Sequence, residues 1–406
     1  MKTNNIIIII GLLFVSAFGT AQQLQSFIEE AQRNNPNIQA YELRYNIAKE
    51  KVNEANWIPN TEFGAGYFMS EPETRTGAQK ARFSARQMLP WFGTVSTREK
   101  YAATMAETDY VDYLVAKRKL ALSVAQSYYI LYGLQAKQRV LDENVQLLKT
   151  YEELALTSVE VGKASAVDVL RLQIRQNELQ QQKEILQEQF TAEQANFNAL
   201  LNRNPSLAIE VVEEMVIPEN DPITSDSIQL NPELLRFDKM YESVAQAELL
   251  NQKERGPMFG VGLDFIPVEE RPDMTFSDNG KDIVMPMVSL SIPIFNKQYG
   301  SRTKQNELRK QEINFQKQER SNVLETAFAR AVAQRNEARI AFDTQTKNIK
   351  QAKDAEQILL KNYETGTIDF NDVLDIQELQ LKFQLNQIQS VQLYYVQSAL
   401  INYLIN

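Results

Sequence analysis

Thr61-Glu62-Phe63-Gly64-Ala65-Gly66-Tyr67-Phe68-Met69-Ser70 decides the reading of this chain, because Phe63-Gly64-Ala65-Gly66 returns as Phe259-Gly260-Val261-Gly262, 196 residues later. Within it Phe63, Ala65, Tyr67 and Met69 share one side. The next run, Ala81 to Leu89, sets Ala81, Phe83, Ala85 and Leu89 on one side and Arg82, Ser84 and Arg86 on the other. A period of two predicts strands with two different faces. In the second copy Phe259, Val261, Leu263 and Phe265 alternate with Gly260, Gly262 and Asp264, and Asp282 to Pro293 forms the partner run. Runs of about ten residues suit tilted membrane strands.

Working outward, the repetition extends along the chain. Asn35-Pro36 recurs as Asn231-Pro232, also displaced by 196, and Leu89-Pro90-Trp91-Phe92 as Ile292-Pro293-Ile294-Phe295, displaced by 203. Val161-Gly162 with Asp168-Val169-Leu170 recurs as Thr365-Gly366 with Asp372-Val373-Leu374, displaced by 204. The shift of about seven residues falls between the two strand runs, where a loop absorbs it. The reading is therefore one unit used twice: residues 22–202 (hairpin 61–89, helices 95–161 and 166–202) and residues 231–406 (hairpin 258–293, helices 299–364 and 370–406). Residues 203–230, with Pro205, Pro218 and Pro222, connect them.

The stretches after each hairpin contain no proline from Trp91 to Asn204 or from Ile294 to Asn406. Helices of that length call for side-by-side coiled packing rather than a compact core. At ~1.5 Å per residue, Val95 to Val161 extends about 100 Å. Leu172, Leu179 and Leu186 fall seven apart, as do Leu374, Leu381, Ile388 and Tyr395, the spacing of packed helices.

Residues 1–21 read as a secretory signal, with Lys2 before an apolar core and Gly19-Thr20-Ala21 at the cleavage site. No later apolar run approaches the ~18 residues of a membrane-spanning helix, so residence in a membrane would require a β-barrel. The chain has no Cys and no His, which excludes disulfides, thiol nucleophiles, imidazole-held metals and Ser-His triads. No catalytic cluster, cofactor or metal site is read. The net charge of −9 argues against nucleic acid as a partner. Met258, Met285 and Met287 read as ordinary apolar contacts, and Glu71, Glu73, Glu269, Glu270 and Asp273 as solvated loop residues. Gly64 and Gly66, or Gly260 and Gly262, do not make a phosphate loop, since neither pair opens a helix.

Four strands cannot close a barrel, because the smallest stable ones have about eight. Two copies give a barrel filled by side chains, and three give twelve strands and an open lumen. The duplicated hairpin-and-helix unit, the Leu89-Pro90-Trp91-Phe92-Gly93 and Ile292-Pro293-Ile294-Phe295 strand exits, and the turns Val161 to Leu170 and Tyr363 to Asp375 together resemble the TolC-type outer-membrane efflux proteins. The resemblance covers essentially the whole mature chain. It implies a mainly α fold: a trimeric tunnel of long antiparallel helices below a shared twelve-stranded barrel in outer-membrane lipid. It also implies partners, a periplasmic adaptor and an inner-membrane pump, with passive export of small solutes. The Pro90-Trp91-Phe92-Gly93 exit is similar to that of heavy-metal efflux members, which favours metal cations as cargo.

The same resemblance implies site residues. Asp372 and Asp375, one helical turn apart, match the carboxylates that ring the periplasmic aperture; helix N-terminal capping is the plainer role for them. Asp168 and Tyr363 match a link that holds the aperture shut, although Ile368 stands where the family has Arg. Gly162, Lys163, Gly366 and Thr367 match the tips that adaptors contact. A duct for type I protein secretion shares this architecture, and a soluble periplasmic coiled-coil scaffold or adaptor is the alternative from another class.

Overall fold

The computed structural model describes residues 22–162, 165–219, 228–273, 275–365, 367–368 and 370–405; the expected signal lies outside them. Helical residues 22–34 (α1) lead to α2 (Pro36–Glu54), β1 (Glu62–Tyr67), β2 (Glu73–Thr74), β3 (Gly77–Gln79) and β4 (Ala81–Leu89). Then come α3 (Thr94–Glu160), α4 (Ala166–Leu200), a 3-10 turn (Ile228–Leu230), α5 (Pro232–Glu254), β5 (Met258–Ile266), β6 (Val268–Glu269), β7 (Ile283–Ser291), α6 (Gln298–Glu364) and α7 (Phe370–Ile405). The helices α3 and α6 are each 67 residues long.

The chain divides into two compact units, each drawing on both halves of the sequence. Among the described residues, the first draws on the stretches 22–40, 114–231 and 320–405. Its lower core joins all four long helices: Leu141, Leu148, Tyr151 and Ala155 of α3, Val169, Leu172 and Leu179 of α4, Tyr363 of α6, and Phe370, Val373 and Leu381 of α7. Here the sevens seen in sequence become the buried seam. The two Asn-Pro sites do the same job. Asn35 donates its side-chain amide to the Leu200 carbonyl at 2.9 Å, and Asn231 to that of Leu404 at 3.1 Å, so each satisfies an orphan carbonyl at the end of a long helix. The connector is strapped down by similar bonds: Asn198 donates to the carbonyls of Pro205 (3.1 Å) and Leu207 (2.8 Å), and the Tyr132 hydroxyl accepts from the Met215 amide (3.2 Å).

The second unit, residues 41–113 and 232–319, holds every strand found among the described residues. Four antiparallel strands lie in the order β1-β4-β5-β7. Pairs such as Phe63↔Ala85, Phe83↔Phe265, Val261↔Val288 and Phe259↔Leu290 gather on one face, and that face is open, with Phe63 and Val288 both 82% exposed. The other face carries Arg82, Ser84, Arg86, Gly260, Gly262 and Asp264. Asp264 is buried and paired with Arg82. Below the sheet Trp91 stacks on Phe259 at 5.5 Å, and Gly256 makes room for it, since a Cβ there would lie 2.7 Å from the indole.

The loops form a second, unpredicted sheet, β2-β3-β6. The acidic residues expected to be merely solvated are partly ion-paired: Glu71 and Glu269 with Lys80, Glu73 with Arg271, while Arg75 holds Asp278. Hydrogen bonding from Arg75 holds the Asp278 carboxyl below its usual range, and Glu269 and then Glu71 keep the Lys80 ammonium charged. Gly77 makes the β3–β6 approach possible. Its φ of +132° is open to glycine, and a Cβ would run into the Glu269 carbonyl oxygen. Gly77→Ala is expected to cost roughly 1–3 kcal/mol locally. Hydrogen exchange should quicken across β2, β3 and β6 and stay unchanged in β5; unchanged exchange at β3 would refute the account.

Candidate functional site

The helix tips of the first unit carry the predicted site residues. α3 ends at Gly162, whose φ of +72° is the left-handed conformation of a helix C-cap, with its amide on the Val159 carbonyl at 3.0 Å. α4 then starts with a capping box: the Ser165 hydroxyl accepts from the Val167 amide at 3.1 Å, and the Asp168 carboxylate accepts from the Ser165 amide at 3.2 Å. Asp168 is thus engaged locally. At the other tip Thr365 and Thr367 hydroxyls donate to the Asn362 carbonyl at 2.9 and 2.8 Å, closing the end of α6. Lys163 and Gly366, two of the expected adaptor-contacting positions, lie outside the described residues.

Tyr363 is buried beside Phe370, edge to face at 4.9 Å, and its hydroxyl has no hydrogen-bond partner among the described residues. Asp168 and Tyr363 are therefore not joined within one chain. Ile368, where the resemblance leads one to expect an arginine, packs against the apolar cluster. Asp372 and Asp375 both lie on exposed faces of the first turns of α7. Asp372 is the acidic residue of the first turn, where the helix dipole favours a negative charge.

Several polar contacts between helices were not foreseen. Arg171 of α4 bonds the Asn371 side chain of α7, and Arg175 reaches Glu378 at 3.5 Å. The Tyr151 hydroxyl donates to Glu356 at 2.7 Å; burial, followed by that carboxylate, raises its pKa and keeps it a neutral donor. Deep in the seam the Gln377 side chain donates to Asn144 at 2.7 Å, and Asn144 donates to Gln384 at 3.2 Å. The seven-residue spacing of Gln377 and Gln384, in step with Leu374 and Leu381, was the available signal. None of these groups is arranged as nucleophile, base and oxyanion donors. Among the described residues no group of three His, Cys, Asp or Glu could hold a metal, and no helix is long and apolar enough to cross a membrane.

Residues 27–203 match the sequence profile of the family described as Outer membrane efflux protein. No curated protein sequence matches the chain. Among solved structures it is similar to the outer membrane protein VceC of Vibrio cholerae, with 18% identity, 94% of this chain and 96% of that chain covered, and a TM-score of 0.72. It is also similar to CusC (13% identity, 95% and 92% covered, TM-score 0.77) and to the open state of the Neisseria gonorrhoeae MtrE channel (15% identity, 94% and 89% covered, TM-score 0.69). Identities this low speak for the fold alone. In sequence over residues 27–203, and in fold over nearly its whole length, the chain resembles the outer membrane efflux proteins.

Proposed function

We propose that the chain is one of three identical subunits of an outer-membrane exit duct, a passive channel fed by an inner-membrane pump through a periplasmic adaptor, with metal cations as favoured cargo. The observation that carries this reading is the sheet β1-β4-β5-β7, apolar and open on one face and, among the described residues, unpaired along the outer edges of β1 and β7. A sheet edge in hydrocarbon costs several kcal/mol per unmet backbone group, so only a closed barrel is tolerated. Three copies close twelve strands around water. The two halves of the sequence then act as two repeats around that axis, joined by residues 203–230, and the tips at Gly162, Lys163, Gly366 and Thr367 receive the adaptor. Asp372 and Asp375, exposed on α7, give six carboxylates around the narrow end and select cations.

Bilayer conductance tests this. Asp372→Ala with Asp375→Ala is expected to abolish cation preference in single channels while leaving heat-resistant trimers intact. Unchanged selectivity removes the carboxylate ring, and a detergent-free soluble monomer removes the duct itself.

A further inference from the structure

The sheet carries a set of side chains that the duct does not require. Register places Met88 of β4 and Ser289 of β7 on either side of Gly260, Arg86 and Met287 on either side of Gly262, and Ser84 and Met285 on either side of Asp264. Directly opposed residues point to the same side. Met88, Met287 and Met285 therefore occupy three successive rungs on the glycine-bearing face, not on the apolar face with Val261 and Leu263. Without side chains at 260 and 262 the thioethers reach inward. A Cβ on Gly260 would lie 2.7 Å from the Met88 sulfur, and one on Gly262 would lie 3.4 Å from the Met287 methyl. The Met88 sulfur meets the Ser289 hydroxyl across the middle strand at 4.0 Å.

Hydrophobic packing does not account for Met285, which is exposed on a face shared with arginine and serine, while Met88 and Met287 are half-buried. A second observation points to a ligand. Asp264 is wholly buried; its Oδ2 is taken by Arg82, and its Oδ1 has no hydrogen-bond partner among the described residues. A buried carboxylate oxygen left unmet calls for a cation or a donor.

We propose that Met88, Met287 and Met285, on three successive rungs, form a ladder of transit positions for a soft monovalent cation, Cu(I) or Ag(I), with Oδ1 of Asp264 opposite Met285 at its last rung. Thioether sulfur selects such ions over hard divalent ones. Being neutral, it needs no proton release and lets the ion leave again, as conduction requires. The proposal rests on the duct reading only in taking this face to line the bore.

Ag(I), which is redox-silent, is the probe, titrated calorimetrically into the full-length protein in detergent. Met88→Leu with Met287→Leu, which keeps volume and apolarity, should bind it at least about tenfold more weakly. Met105→Leu, in α3, should bind as wild type does. Equal affinity in the double variant overturns the site. The wild type supplies a readout independent of any variant's folding: Ag(I) should slow peroxide oxidation of Met88, Met285 and Met287 relative to Met105, read by peptide mass, and equal rates overturn the site. Conductance separates the two readings. A conducting channel that fails to bind Ag(I) loses the site and keeps the duct, whereas loss of conductance with Met protection intact keeps the cation-binding face and overturns both the duct and the transit role.

Discussion

Leu172→Ala is expected to lower the unfolding free energy by about 3–4 kcal/mol, within the range measured for leucines cut back in tight cores. Leu172 has no exposed surface and belongs to the buried cluster that draws on all four long helices, together with Leu141, Leu148, Leu179, Phe370 and Val373. Its removal deletes transfer energy and leaves a cavity that helices held at both ends relax into poorly. Gln180→Ala, two turns on and exposed, should change stability by less than about 0.5 kcal/mol. Denaturant unfolding followed by helical circular dichroism reads both. A Leu172→Ala cost below about 1 kcal/mol would mean that the four helices do not share this core.

The second large effect concerns Arg82 and Asp264. Arg82 is 42% exposed while Asp264 is 0% exposed, so the pair is asymmetric: the arginine can be lost to water and the carboxylate cannot. Arg82→Leu alone is expected to cost about 3–5 kcal/mol, the penalty for a buried charge left alone. Adding Asp264→Leu should restore most of it, since replacing both members of a buried pair by apolar groups is close to neutral. Thermal unfolding of the full-length protein in detergent, compared across the four members of this cycle, measures the difference. If the double variant is no more stable than Arg82→Leu, the buried carboxylate is not the source of the cost.

The helices were legible because their signals are local: proline-free stretches, and leucines spaced by seven that became Leu172, Leu179 and Leu381 in the core. Strand β4 was legible for the same reason, as Arg82, Ser84 and Arg86 alternate with Phe83 and Ala85. Partner choice over long distances was not. Strands of two or three residues, such as Glu73–Thr74 and Gly77–Gln79, show no period, and nothing near Arg75 announces Asp278. The methionines were read as apolar contacts because Ile283-Val284-Met285-Pro286-Met287-Val288 is apolar at nearly every position, which hides the parity that register reveals. At the tips, the capping motif of Asp168 could be read from Ser165 three residues before it, whereas the unpartnered hydroxyl of Tyr363 depends on packing from other helices.

The unpaired margins of β1 and β7 have a kinetic consequence. A lone subunit entering the bilayer would carry two rows of naked amides into oil, so no single-chain intermediate can accumulate there. In the proposed duct, insertion and association would become one event, and its rate should rise more steeply than in proportion to the concentration of newly exported chains. At low expression, unassembled subunits should wait in the periplasm, exposed to proteases, rather than in the membrane.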